Sequence, residues 1–291
     1  MMIAFFGMGL LGSNFVRAGI RRGETLHVWN RTESRARALE ADGAKVFADP
    51  AEAVRGAERL HLTLSDDAAV DAVLEAARSG FSEGLTIVDH TTTSPTETRA
   101  RVAKWQERGV AFLHAPVFMG PMNALQSTGV MLASGDPALV ERLTPVLEKM
   151  TGRFVPLGPE PERAAAFKLF GNLFLMFMTA GVAEMLTLAK ALGVKAEEAV
   201  TLFNAFNPGA TLDWRVKRVM AAEFDKPSWE LSMARKDARI MIEEGERHGV
   251  PLEMLPAIAA QMDRFIAQGL GHNDWTVIAK DALSPKNPAA G

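Results

Sequence analysis

An apolar run at residues 2–6 stops at Gly7-Met8-Gly9-Leu10-Leu11-Gly12, and residues 13–21 continue as a helix. A GxGxxG set between a strand and a helix constrains a chain more than any other feature in this sequence. The first glycine permits a tight turn, the second lets a pyrophosphate approach the backbone, and the third lets helix and strand pack closely. The helix N-terminus then turns its amides toward the phosphates. Residues 7–12 are therefore the expected dinucleotide contacts, set against the plainer reading of a glycine-rich turn.

The chain beyond the motif keeps the same rhythm. Strands are expected at 25–29, 45–47, 59–64, 86–89, 111–115, 129–134 and 154–157. Helices are expected at 51–55, 67–77 and 95–108, and from a cap at Asp136 to Met150. Such alternation specifies a doubly wound parallel sheet, with ligands at the carboxyl ends of its strands. That puts Asn30, Arg31, Thr32, Leu64, Ser65 and the stretch from Asp89 through Thr92 to Pro95 on the ligand rim. An NAD-preferring site usually has an acid after the second strand. Here Arg31 stands there, near Thr32 and Arg35, and a guanidinium suits a ribose 2′-phosphate. The expected cofactor is NADP(H), although Arg31 could simply begin a solvated helix.

Residues 162–192 read as one long helix, with Pro159 and Pro161 before it and Gly193 after it. Residues 173–182 are apolar on nearly every face, so burial on several sides is expected. Lys168 and Asn172 interrupt that surface on one face, four residues apart. Lys168 is either a snorkelling surface lysine or an ammonium aimed with an amide into a cleft. The helix is expected to be too short and too polar at its edges to span a membrane. After it come only helix patterns, at 197–207, 212–222, 229–248, 252–268 and 274–281. The expected fold is an α/β Rossmann-type doubly wound domain (1–160), then an all-α domain (161–291) whose core is the second half of the long helix, which joins the two.

Composition narrows the chemistry. A net charge of −3 gives no electrostatic case for nucleic acid. With no cysteine and no tyrosine, thiolate nucleophiles and phenol acids are excluded. The six histidines are scattered without metal-ligand spacing, so no metal is expected. The N-terminus lacks a basic region before its apolar run, so a cytoplasmic protein is expected rather than one with a signal peptide.

Together these residues resemble the β-hydroxyacid dehydrogenase family, the group of 3-hydroxyisobutyrate dehydrogenase and the glyoxylate/succinic semialdehyde reductases. The resemblance runs in order over essentially the whole chain. It places the family's dinucleotide glycines on Gly7, Gly9 and Gly12, and its Asp-x-Ser-Thr-x-x-Pro on Asp89, Thr91, Thr92 and Pro95, with Thr92 by the nicotinamide. It makes Lys168 the general acid and base, with Asn172 fixing the lysine or the substrate. Further on, it implies that Lys236 contacts the cofactor and that Asp237 contacts the substrate or supports the site, with Trp229 where a phenylalanine is usual. Where relatives hold a substrate carboxylate with Ser-Gly-Gly, this chain has Phe118-Met119-Gly120. His114 replaces an aspartate and Ala164 a glycine. The resemblance implies hydride transfer between a nicotinamide and a small aldehyde, ketone or hydroxy acid, in a dimer or tetramer. Two alternatives stand beside it: an imine reductase acting on uncharged substrates, and a non-catalytic NADP-binding protein.

Overall fold

The computed structural model describes residues 2–283, and the chain divides into two compact units between Leu173 and Phe174. In the first unit, strands β1 (Met2–Phe6), β2 (Thr25–Trp29), β3 (Lys45–Val46), β4 (Arg59–Leu62), β5 (Thr86–Asp89) and β6 (Ala111–His114) form one parallel sheet in the order β3-β2-β1-β4-β5-β6. The reversal of order at β1 and β4 gives the doubly wound arrangement.

Side chains alternate between the two faces, and each face has its own core. Ile3, Phe5, Val28, Val88 and Leu113 face one side, where Phe15 of the helix Leu10–Arg21 packs among them. Ala4, Phe6, Leu60, Leu62, Ile87 and Phe112 face the other, with Val102 and Trp105 of the helix Pro95–Glu107. His61 of β4 points to the first face. Its Nδ1 lies 3.0 Å from His90 Nε2, and its ring stacks on Phe5. Burial pushes the pKa of His61 well below the ordinary histidine value.

A second sheet, ordered β7-β8-β9, comprises β7 (Val117–Phe118), β8 (Val130–Ala133) and β9 (Arg153–Pro156). The 116–123 stretch is therefore more than a loop. It holds β7 and the start of a helix, Pro121–Gln126, with Asn123 Oδ1 accepting the Gly120 N–H at 2.9 Å. A two-residue strand has no periodicity to read, which is why the pattern hid it.

The long helix spans Arg163–Ala191, and by length and hydropathy alone it qualifies as a membrane span, against the sequence expectation. Burial of its middle is also corrected. Leu175, Met176 and Phe177 are 53%, 69% and 54% exposed in the single chain. The core of the second unit lies elsewhere, among Phe224, Leu231, Ala234, Met262, Phe265 and Val277. The long helix is nonetheless tied into that unit. Glu184 accepts the N–H groups of Glu253 and Leu255 at 2.9 and 3.0 Å, at the start of the helix Leu255–Phe265.

Most of the remaining helices are shorter than their patterns, while the one expected at 274–281 is a 3-10 helix, Trp275–Leu283. The 197–207 segment breaks into Ala196–Ala199 and Leu202–Ala205 around the β-branched pair Val200-Thr201. The helix Leu255–Phe265 ends in a wider turn, Ile266–Leu270, where Gly269 has φ +84°. The helix expected from 229 begins at Leu231, because Glu230 is held extended in a bridge with Asp274. Asp274 is fully buried and accepts from Ser228 and Thr276. Burial would raise its pKa, but those bonds hold the carboxyl down to about 2.

Candidate active site

Parallel strands end along one rim, here at Phe6, Trp29, Leu62, Asp89 and His114. The three glycines after β1 have different reasons to be glycine. Gly7 has φ +98°, and a Cβ there would lie 2.1 Å from Thr63 O. A Cβ on Gly12 would lie 1.9 Å from Gly7 O and 2.3 Å from Thr63 Oγ1. Gly9 has nothing within 4 Å of a built Cβ and caps the helix Leu10–Arg21 without any side-chain bond. Two glycines let the elements pack, and the third leaves an open approach to first-turn amides.

Thr63 and Asn30 pin this turn. Thr63 Oγ1 donates to Gly7 O at 2.7 Å, and Asn30 Oδ1 accepts the Met8 N–H at 2.8 Å. Asn30 also donates to Thr32 O, which fixes the loop carrying exposed Arg31. A cavity of about 360 Å³ opens here, lined by Gly7, Gly9, Asn30, Arg31, Thr32, Leu64 and Ser65. Arg35, already noted near Arg31 in the sequence, lines it too; Trp29, Ala69 and Val73 also do, and had no signal as ligand contacts beyond their nearness to the motif. Met8 and Gly12 are buried beneath the turn, Leu11 is half-buried, and Leu10 is exposed. Open amides at Gly9 and guanidinium groups at the cavity suit a phosphate-bearing dinucleotide.

The segment after β5 divides its threonines. Thr91 Oγ1 accepts the Leu64 N–H at 2.9 Å, and Thr93 bonds Thr98, so both are structural. Thr92 is exposed on the rim. Ser94 caps the next helix through its backbone only, donating its N–H to Asp67 Oδ2. His114 is fully buried with Nδ1 3.7 Å from Asp89 Oδ2, so it packs inside rather than lining the rim. Burial would raise the pKa of Asp89, but His114 and Thr91 hold it below the usual carboxylate range.

The start of the long helix is docked on β8. Ser134 Oγ accepts the Ala164 N–H at 2.8 Å and donates to Pro161 O at 3.1 Å, while Glu162 pairs with Arg99. Ala164 and Ala165 are buried at the joint, where larger side chains would hold the helix off. One turn on, Lys168 Nζ donates to Asn172 Oδ1 at 2.9 Å and lies 4.2 Å from the centre of the Phe118 ring. Burial pushes the Lys168 ammonium below the ordinary lysine pKa. Phe118 and Met119 are half-buried beside exposed Gly120. Lys236 and Asp237, on the helix Leu231–Arg247 of the second unit, pair with each other at 2.8 Å.

Residues 2–158 match the family model for the NAD binding domain of 6-phosphogluconate dehydrogenase. Residues 163–281 match that described as NAD-binding of NADP-dependent 3-hydroxyisobutyrate dehydrogenase. The chain belongs to the β-hydroxyacid dehydrogenase family. Like others of that family, it is an NAD(P)-binding oxidoreductase. The 3-sulfolactaldehyde reductase of Escherichia coli K12 is 29% identical over 95% of this chain and 94% of its own length. Human cytokine-like nuclear factor N-PAC is 30% identical over 95% of this chain, which spans 50% of that protein. In fold, this β-hydroxyacid dehydrogenase is similar to the imine reductase of Myxococcus stipitatus solved with NADP+, with a TM-score of 0.89 at 20% identity, over 96% of this chain and 99% of that one.

Proposed function

We propose that this β-hydroxyacid dehydrogenase uses NADP(H) to interconvert a small carbonyl compound and its alcohol, with Lys168 as general acid and base. The observation that carries this is the half-buried Lys168 Nζ, bonded to Asn172 and lowered in pKa by burial. The bound nicotinamide supplies the hydride in reduction and accepts it in oxidation. As negative charge grows on the carbonyl oxygen, the ammonium of Lys168 stabilises it and gives up a proton; in the reverse direction the neutral amine takes that proton. Asn172 fixes the lysine through its amide oxygen. Arg31, with Arg35 at the same cavity, supports NADP(H) by offering a fork for the 2′-phosphate. Thr92 and Lys236 are proposed cofactor contacts, and Phe118, Met119, Gly120 and Asp237 substrate contacts.

The functional boundary we propose falls at 160/161, where the cofactor domain gives way to the helix that carries Lys168. A second copy of the chain is proposed to cover the exposed apolar stretch of that helix, giving a cytoplasmic homo-oligomer. Lipid is the poorer partner, because Glu184 lies within this apolar helix and is spent on the backbone of residues 253 and 255.

The first test is NADPH consumption with succinic semialdehyde, glyoxylate, uncharged aldehydes and cyclic imines, with NADH in parallel. Turnover of the acid semialdehydes supports the family reaction. Phe118 favours a second reading, since an aromatic ring takes the place of a carboxylate-holding serine. Turnover of only uncharged carbonyls or imines would establish it. Binding of NADPH without turnover of any of these would make the chain a non-catalytic binder. Lys168→Ala should cut kcat by roughly 10²- to 10⁴-fold and leave the Kd for NADPH within about twofold. Near-normal turnover by this variant would refute the role of Lys168.

A further inference from the structure

Gly171 sits inside the long helix, three residues after Lys168 and directly before Asn172. Glycine is destabilising in a helix interior, so its presence there needs a packing reason. The reason is Phe118. A Cβ built on Gly171 would meet Phe118 Cζ at 2.3 Å and Cε1 at 2.5 Å, so the end of the ring fills the space of the missing side chain. The next glycine of the same helix, Gly181, has nothing within 4 Å. The backbone of Phe118 is held from the other side by its pairing with Val130 in β8. There Gly129, at φ +83°, comes so close that a Cβ would lie 2.8 Å from Phe118 O.

We propose that Phe118 and Gly171 are a size-matched pair that positions the Lys168 ammonium. Gly171 seats the ring, and the ring offers its face to Nζ at 4.2 Å while Asn172 takes one N–H at 2.9 Å. An ammonium has three N–H donors. With one on the amide and one toward the ring, the third is left for the substrate oxygen, and no water is needed to complete the shell. The ring also favours the charged form, because the face of an aromatic system attracts a cation. In this role Phe118 and Gly171 are positioning residues, acting on the reaction through Lys168, whatever contact Phe118 also makes with substrate. This rests on the reading of Lys168 as proton donor given above.

Two measurements test the pair. The first is a double-mutant cycle on kcat. Gly171→Ala should push the ring from its seat and lower kcat about tenfold, with the KM for NADPH unchanged. In a Phe118→Ala background the seat is empty, and adding Gly171→Ala should change kcat less than about twofold. Equal losses in both backgrounds would overturn the proposal.

The second measurement needs neither cofactor nor turnover. The pH dependence of Lys168 acetylation in the free protein, read by mass spectrometry, gives the pKa of the amine directly. Phe118→Leu keeps apolar bulk but loses the ring face, and should lower that pKa by about half a unit to one unit. Phe118→Tyr keeps the face and should return it to the wild-type value. No shift in the leucine variant, or an upward one, would overturn the proposal. Should Lys168→Ala instead retain turnover, the assigned reaction role falls, while the amine titration still decides whether the ring holds the lysine.

Discussion

The two units treat their apolar residues in opposite ways. In the first, both faces of a six-stranded sheet are covered, and Phe6, Phe15, Leu60, Leu62 and Trp105 are all but inaccessible. The second has a small core around Leu231 and Phe265, and leaves Leu202, Phe206, Val216 and Met220 exposed. The long helix displays the contrast within itself. Ala164 and Ala165 are sealed at its start, whereas Leu175 and Met176 stand open. The glycine turn after β1 and the proposed proton donor Lys168 both belong to the self-sufficient unit, where the backbone is already fixed. The other leaves large apolar side chains open, which is the surface the proposed second copy of the chain would cover.

The most severe way to break this contrast is Gly12→Val. Two branches would be forced into a space where even a Cβ lies 1.9 Å from Gly7 O. The expected result is no measurable NADPH binding in a fluorescence titration, and binding as in the wild type would show the turn to be more tolerant than its geometry. Next comes the exposed surface. Leu175→Glu combined with Met176→Glu should shift the protein to monomer in size-exclusion chromatography with light scattering, while NADPH binding changes little. An unchanged oligomer would move the contact away from this helix.

Acid should separate the units more gently. Burial lowers the pKa of His90 from 6.5 to about 4, and His61 beside it is lowered too. Because the folded state prefers the neutral imidazole, this stability is complete above pH 6.5 and is lost as pH falls toward about 4. The loss for His90 is about 3 kcal/mol. Asp274 in the second unit, depressed from 3.8 to about 2, gives stability that holds above pH 3.8 and fades only below it. Urea melts at several pH values should therefore show the first unit weakening first, and His90→Gln should flatten its slope. The smallest expected effect is at the rim. Arg31→Ala should lower the preference for NADPH over NADH by about tenfold in kcat/KM, the loss of one charge-assisted contact.

Much of the first unit was legible from local pattern. The strand before Gly7, the helix after it and the strand–helix alternation that specifies a parallel sheet depend on neighbours in sequence. The long helix was bounded to within a residue at each end, yet its burial was misread, because exposure depends on surfaces far along the chain or outside it. β7 was too short to show a period. Gly171 carries no local signal, since the ring that fills its missing side chain lies 53 positions earlier in the chain. Thr91, placed in the ligand-rim motif, holds the Leu64 backbone. That bond follows from the closeness of β4 and β5, which composition does not reveal. His61 and His90, far apart in sequence, meet only after β4 and β5 align.

Trp29 has an optical consequence. It lines the cavity behind the glycine turn, the proposed dinucleotide site, with its Nε1 donating to Ala48 O, and the chain has five tryptophans and no tyrosine. Ultraviolet excitation at the red edge of the protein band is therefore absorbed by indoles alone, one of them at the cavity wall. Its emission overlaps the absorption of a reduced nicotinamide and not that of an oxidised one. The redox state of a bound cofactor can thus be followed from the protein's own light, with no label attached.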